Sequence, residues 1–488
     1  MKNIDSRLYD ITVVSPRNYF TFTPLLPKIS SGMVSGGTCA EPMPAYINNR
    51  FKGNAKFIHA TCTDVDPESH VIYCAPVGGQ GPSFSVPYDY LVVAVGTKTN
   101  SFGIPGVEEY AYFLKEMEHA ETVFNKILDN FRKASMPYVT DEEKRNLLHF
   151  VVVGGGPTGV ESAGEMALLF NKYAKDSFPE LMPFVQVSIV EGGSKLLPSF
   201  SLKNSAYVAK HFGKSNINMI FGKTVCEVRR DACMVKDTKS DHIEEVKCGM
   251  VLWASGLKEI ELVSVLRKKW KEQTNPRALL VDQYLKLYGS ENIFALGDCC
   301  KVSPSRLPDN YDYIVEQIGA NSVDTLIRHR KRLSLTFPQL NDSKWNYKDK
   351  EFKEFVNDVK SEYGSHSKEG FIKILDKIDT KYVPPFPTAQ NAKQQGIYLA
   401  KAFNTGSISD KNKKAFCEKW LGSIASLGGL SVVAHLPLLT LNGGLIAFFM
   451  WNFVYMIMFS SNKMRLRFIF DLIMNRLCRR QLISKGPK

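Results

Sequence analysis

Short apolar, β-branched runs recur along the chain, and most of them end in glycine, which is the pattern of strands buried on both faces. Residues 9–14, 90–96, 150–153, 185–190, 250–253 and 292–296 each predict such a strand. The run 150–153 enters Gly154-Gly155-Gly156-Pro157-Thr158-Gly159, and the helical pattern of 160–165 leaves it. Strand, Gly-x-Gly-x-x-Gly, helix is the order that dinucleotide binding requires. The first glycine permits a tight turn, the second lets the backbone approach a pyrophosphate, and the third lets helix lie close on strand. Unpaired N–H groups at the helix start then face negative charge. The strand at 185–190 ends at Glu191, placed to accept a hydrogen bond from a ribose 2′-hydroxyl and to repel a 2′-phosphate, which favours NADH over NADPH.

Three further strands end in a way that brings backbone close to a nucleotide: Gly96-Thr97, Ser255-Gly256 and Gly297-Asp298, where the aspartate suits a ribityl or ribose hydroxyl. Singly these endings are common in any parallel sheet. Their order is half a nucleotide domain, a complete one, then a return to the first.

Composition narrows the class. A chain of 488 residues that is 44% hydrophobic can bury two or three cores. Its 10 cysteines include no Cys-x-x-Cys and no metal-ligand spacing, so no metal is expected and buried thiols of a reducing compartment are. Residues 1–5 contain no apolar signal region, and their mixed charge matches a transit peptide poorly. The net charge of +13 is concentrated at the far end, where Asp471 is the lone acid after Lys463.

That end also carries the longest apolar stretch. Residues 420–462 contain no Lys, Arg, Asp or Glu, yet the run 445–459 falls short of the roughly 20 residues that cross a bilayer. Residues 422–429 read as strand and turn. Beyond them Leu466, Ile469, Phe470, Ile473 and Leu477 follow helical spacing, with Arg465, Arg467, Arg476, Arg479 and Arg480 around them. This predicts an amphipathic helix lying on an anionic membrane surface. A helix packed on another subunit, or a transmembrane span, are the alternatives. No nucleic-acid partner is expected.

Two longer motifs now carry a resemblance. Ser15-Pro16-Arg17-Asn18-Tyr19-Phe20-Thr21-Phe22-Thr23-Pro24-Leu25-Leu26-Pro27 and Ala389-Gln390-Asn391-Ala392-Lys393-Gln394-Gln395-Gly396, set around the glycine turn, resemble the type II NADH dehydrogenases. These are single-chain, non-proton-pumping NADH:quinone oxidoreductases of the two-dinucleotide-binding flavoprotein superfamily. The resemblance covers most of the chain. It implies an α/β fold of two Rossmann-like dinucleotide-binding domains, the FAD domain split around an inserted NADH domain, plus a C-terminal amphipathic helical membrane anchor. The implied boundaries are 1–145 for the first part of the FAD domain, 146–258 for the NADH domain, 259–400 for the second part, and 401–488 for the membrane-associating region. By the same resemblance Ser15, Pro16, Arg17, Gly96, Thr97, Gly297, Asp298 and Ala389 line FAD. Gly154, Gly156, Thr158, Gly159, Glu161, Glu191, Ser255 and Gly256 hold NADH. Gln390 and Gln394 are the implied catalytic pair, with Lys393 beside them and Tyr455 at the mouth of the quinone path. From the residues alone, Gln390 and Gln394 are i,i+4 on a helix beginning after Pro387, which a solvated glutamine-rich face would also show.

The chain departs from the family twice. The family opens with a glycine turn for the FAD pyrophosphate, whereas no glycine here precedes Gly32, so a truncated N-terminus is expected. The stretch 322–381 is rich in Lys, Asn and Ser, with helical patches such as 352–360, and reads as a partly disordered surface insertion.

The electron acceptor separates relatives of one fold. Disulfide reductases carry Cys-x4-Cys after Gly-Gly-Thr; here Gly36-Gly37-Thr38-Cys39 is followed by Pro44 at the second position, so no redox dithiol forms there. Cys299 and Cys300 are adjacent, and strained vicinal disulfides are rare, so they read as packing residues. Sulfide:quinone oxidoreductases would not need the complete glycine turn. Glu161 and Glu165 are candidates to pair with a cation near the flavin, with packing as the alternative. Lys393 or water would supply the protons that quinone takes up. The expected enzyme is peripheral on the mitochondrial inner membrane if eukaryotic, otherwise on the cytoplasmic face of the plasma membrane, and a homodimer. A soluble FAD-dependent NADH oxidase or acceptor reductase, and a non-catalytic NADH-binding interaction protein, are the rivals.

Overall fold

The computed structural model describes residues 3–341, 355, 356, 358, 367–409, 414–437, 439–459 and 461–477. Two compact units form, each from three stretches of chain. One is Met1–Asn18, Pro44–Thr97 and Lys258–Trp420; the other is Tyr19–Met43, Lys98–Leu257 and Leu421–Lys488. Residues 19–43, 98–145 and 421–488 therefore group with the glycine-turn unit, although the domain boundaries implied by the resemblance set them apart.

The glycine-turn unit is built on a five-stranded parallel sheet. His149–Val153 lies at its centre, flanked by Gln186–Glu191 on one side and Met250–Trp253 on the other, with Ile217–Phe221 and Tyr112–Phe113 at the edges. Phe150, Val151 and Val152 are buried on both faces, which is why this strand reads as a continuous apolar run. The helix Pro157–Leu169 covers one face and is buried along most of its length. A methyl group on Gly164 would collide with the Leu427 backbone, and one on Gly428 with the Gly164 carbonyl, so helix and loop meet backbone to backbone.

The C-terminal segment completes the same core. The strands Ser423–Ser426, Val432–His435 and Thr440–Asn442 form an antiparallel sheet, followed by helices Gly444–Met458 and Asn462–Leu477. Trp451, Tyr455, Phe459, Met464 and Phe468 point inward, joining Phe22, Leu26 and Val160 in one apolar cluster. No helix among the described residues is long and apolar enough to cross a membrane.

The expected amphipathic helix at 462–477 is present, but its exposed surface differs from the sequence reading. Leu466, Phe470 and Ile473 face outward as predicted, and so do Ile446, Phe449, Phe453 and Ile457 of the preceding helix, at i+3 and i+4 spacing. Two of the arginines turn back. Arg465 donates to the Met456 carbonyl (2.9 Å) and Arg467 to that of Gly37 (2.8 Å), each satisfying a backbone group of its own unit. The side chains of Arg476 and Leu477, and residues Arg479 and Arg480, lie outside the described residues.

In the other unit, Ile11–Ser15 is the edge of a sheet with Ala55–Asp66, Val71–Pro76 and Phe84–Pro87, while Leu91–Val93 pairs in parallel with Ile293–Ala295. The described parts of the insertion are not a solvated surface. Helices Tyr311–Ile318, Val323–Leu333 and Lys368–Thr380 enclose a core of their own, including Ile314, Leu326, Phe371 and Ile374, each at 0% exposure. The apolar residues were diluted in sequence by lysines that face outward. The patch expected at 352–360 lies mostly outside the described residues.

Replacing Gly164 with alanine should destabilise the fold by roughly 1–3 kcal/mol, because the added methyl meets backbone that cannot move aside. Gly156→Ala, whose methyl would have no neighbour within 4 Å, should leave the unfolding midpoint nearly unchanged; denaturant unfolding of the two variants compares them.

Candidate functional site

The turn after His149–Val153 has the geometry its sequence requires. Gly154 sits at φ +111°, in the region that favours glycine, and a methyl there would approach the Ala254 carbonyl oxygen to 2.9 Å. At Gly159 a methyl would collide with the Gly154 carbonyl, so this residue sets the contact of helix on strand. Gly156 differs: nothing lies within 4 Å of the added carbon, so no contact within the protein demands a glycine here. A cradle whose inner glycines are fixed by protein contacts and whose outer one faces open space fits a pyrophosphate at the start of Pro157–Leu169. Thr158 is exposed at that helix start, and Ser255 and Gly256 are half-buried.

Glu191 stands at the end of the neighbouring strand, as predicted, and has a further role that the sequence did not show. Its two oxygens accept from the Gly155 N–H (2.6 Å) and the Gly193 N–H (2.7 Å), so the carboxylate pins the glycine turn. Each oxygen keeps a second lone pair, so a ribose hydroxyl can still be bound.

Glu161 and Glu165, one helical turn further, are buried in the same unit. Glu165 at 0% exposure accepts from the Lys28 ammonium at 2.6 Å and from the Ser426 hydroxyl at 3.1 Å. Lys28 also lies 4.7 Å from the centre of the Trp451 ring, a cation–π arrangement. Glu161 accepts from the Ser426 N–H at 3.0 Å, and burial pushes its carboxyl up to about 8, with the nearby Glu165 charge adding to the rise. The cation partner expected for this pair is thus Lys28, bound by Glu165. Neither Lys28 nor Ser426 carried a sequence signal, since they approach the helix from opposite ends of the chain.

The residues implied for FAD lie in the other unit. Gly297 (φ +76°) is buried, and its N–H donates to the Gln395 side chain at 2.7 Å. The helix Ala389–Asn404, capped by the Thr388 hydroxyl on the Asn391 N–H, therefore starts against the Gly297-Asp298 turn. Gly96 (φ +69°) has open space where a side chain would be, and its backbone borders the buried Cys299 thiol. Ser15, Pro16 and Arg17 follow the edge strand, where Ser15 accepts from the Arg17 N–H and the Pro16 carbonyl meets His59. Two glycines with positive φ, the half-exposed Thr97 and Asp298, and the positive end of a helix at Ala389 fit the flavin and ribityl end of FAD. Gln395 was missed by sequence reasoning, although it lies within the motif.

The quinone set is brought together only in part. Gln390, Lys393 and Gln394 share the helix Ala389–Asn404, with Lys393 exposed and the glutamines half-buried. The Gln394 amide clamps the Lys419 backbone, donating to its carbonyl (2.9 Å) and accepting from its N–H (2.8 Å). Tyr455 belongs to the glycine-turn unit, where it is 7% exposed and packed against Phe22 and Trp451. It is a core residue of that unit, because its ring spaces the inner face of its helix, and it does not form an open mouth. Cys39 and Cys299 are buried thiols, and burial raises Cys39 to about 12 and Cys299 to about 11.

Comparison with known proteins places this geometry in a family. The pyridine nucleotide-disulphide oxidoreductase family matches residues 1–314, and the NDH2 C-terminal domain matches residues 420–481. The chain is 31% identical over 469 residues to the external alternative NAD(P)H-ubiquinone oxidoreductase B2, mitochondrial, of Arabidopsis thaliana, covering 90% of this chain and 79% of that protein. It is 32% identical over 462 residues to the B1 protein of that name from Solanum tuberosum, covering 90% and 80%. A solved structure of NDH2 from Plasmodium falciparum in complex with NADH is similar with a TM-score of 0.91 at 36% identity, covering 99% of this chain and 96% of that one. The chain belongs to the type II NADH dehydrogenases of the pyridine nucleotide-disulphide oxidoreductase family.

Proposed function

We propose that this chain works as a peripheral NADH:quinone oxidoreductase in two successive half-reactions, with the roles of its residues as follows. The overall activity, NADH to quinone by way of FAD and without proton pumping, is that of its family. The observation that carries it is the glycine turn, whose Gly156 faces open space beside Glu191 while its other glycines are held by protein contacts. Bound FAD would supply the two-electron chemistry between hydride donation by NADH and reduction of quinone, which also takes up two protons.

The glycine turn and the start of Pro157–Leu169 hold the NADH pyrophosphate, and Glu191 selects the 2′-hydroxyl while keeping the turn in shape. Gly96, Thr97, Gly297, Asp298, Ala389 and the Ser15–Arg17 segment hold FAD, with Gln395 fixing the Gly297 backbone. Gln390 and Lys393 are the residues of the quinone motif placed to meet substrate. Gln394 positions them by anchoring their helix to Lys419. Burial raises the Glu161 carboxyl to about 8, so it retains its proton at neutral pH and can supply one at Oε, one helical turn from the Glu165–Lys28 pair.

The outward stripe of Ile446, Phe449, Phe453, Ile457, Leu466 and Phe470 supports attachment to a membrane surface, in a stretch otherwise free of acids except Asp471. The mitochondrial names of the relatives support a mitochondrial location, and within it the inner membrane is the proposed surface. A homodimer using the same stripe is the competing reading.

Stopped-flow absorbance of the FAD-loaded protein separates the half-reactions. Gln390→Ala should slow reoxidation by quinone about tenfold or more while leaving flavin reduction by NADH near its normal rate; equal losses in both would remove the quinone assignment. In vesicle flotation, Phe449→Asp with Phe453→Asp should abolish binding to anionic liposomes. Binding retained by that double variant, with a dimer converted to monomer, would favour the competing reading. Glu161 also makes stability depend on pH. Its folded value lies above the usual carboxylate value of 4.5, so the unfolded chain releases the proton first as pH rises, and stability should fall from about pH 4.5 to about 8. Denaturant unfolding of Glu161→Gln should lack that component of the decline.

A further inference from the structure

A cavity lies in the glycine-turn unit, at the end of the sheet away from the glycine turn. Its volume is about 410 Å³, within the range of small-ligand sites. The walls are the helix Met117–Ala134, the edge strand Tyr112–Phe113, and the turn bearing Arg229 and Arg230. The floor is the approach to Met250–Trp253, from Cys248 to Val251. That strand runs from the cavity to Ala254 and Ser255, which touch Gly154, so cavity and glycine turn occupy opposite ends of one strand.

The cavity is lined by Lys126, Arg229 and Arg230, with His119 beside them. His119 and Lys126 are seven apart on the helix and share one face. Among the described residues, Lys126 is half-buried with no ion pair, and Arg230 has none either, whereas Arg229 is held by Glu227 at 2.8 and 2.9 Å. Burial draws the Lys126 ammonium below its ordinary value; Lys133 and Arg230 add to this, and Asp129 opposes it. His119 accepts the Lys115 N–H at Nδ1, which leaves its ring proton on Nε2. Glu109 is the one carboxylate on the lining. Burial and neighbouring cations both disfavour the Lys126 charge, and a bound anion would relieve this.

We propose that this cavity binds a small phosphate-bearing anion, distinct from the NADH held at the glycine turn. The guanidinium of Arg230 provides paired donors for phosphate oxygens, and the Lys126 ammonium provides a point charge opposite it. The tyrosine wall leaves room for an apolar or aromatic portion of such a ligand.

Isothermal titration calorimetry of the FAD-loaded protein with inorganic pyrophosphate, under anaerobic conditions and saturating NADH, tests this. The wild type should bind pyrophosphate in the presence of NADH. Lys126→Met and Arg230→Ala should each weaken that binding about tenfold or more, while both retain wild-type rates of flavin reduction. Arg230 is exposed, so its variant decides the matter if Lys126→Met fails to fold. Displacement of pyrophosphate by NADH would assign the anion to the glycine turn and overturn the proposal. Undiminished binding by Arg230→Ala, or no binding by the wild type, would overturn it equally.

Discussion

The helix Pro157–Leu169 approaches its neighbours more closely than any side chain would allow, and much of the unit depends on that closeness. Gly159 brings it onto the strand His149–Val153, and Gly164 brings the loop after Ser423–Ser426 onto its outer side. Both contacts are backbone on backbone, so the helix has little freedom to shift or rotate. This fixed position sets where the first turn and the glycine turn before it lie and aims Glu161 and Glu165 at Ser426 and Lys28. The same contact ties the C-terminal sheet and its two helices to the nucleotide-binding core, which explains why residues 421–488 fold with that unit.

The parts of the site that were legible in sequence are those whose chemistry is local. The glycine turn, the Glu191 strand ending, the Gly96-Thr97 and Gly297-Asp298 endings and the helix after Pro387 each occupy a few consecutive residues, and each appears where its pattern set it. The contacts that escaped detection join distant segments. Lys28 reaches Glu165 across 137 positions, and Ser426 reaches it across 261. Gln394 shows the same limit at shorter range. Its motif marks it as part of a quinone site, but only the fold reveals that its amide is engaged by the Lys419 backbone. Tyr455 and the insertion were misread because outward-facing and inward-facing positions alternate on short helices, so composition alone does not say which face is covered.

Charge is handled differently in the two halves of the glycine-turn sheet. At the nucleotide end, carboxylates are neutralised by backbone N–H groups, a lysine or a retained proton, so a negatively charged cofactor meets little repulsion. At the other end, Lys126, Arg229 and Arg230 line a cavity whose lining holds one carboxylate, Glu109. Burial raises the Cys39 and Cys299 thiols well above their ordinary value, so both keep their protons at neutral pH.

The Lys28–Glu165 pair has a consequence for how this sequence can change over time. Loss of either partner alone strands a charge in a dry interior, at a cost of roughly 3–5 kcal/mol, a large part of what keeps most domains folded. Exchange of both for apolar residues of matching volume would be close to neutral. The two positions are therefore separated by a valley that single substitutions cannot cross cheaply. Lineages should hold both residues or neither, and residue 28 should drift only in step with residue 165, although nothing in the intervening sequence connects them.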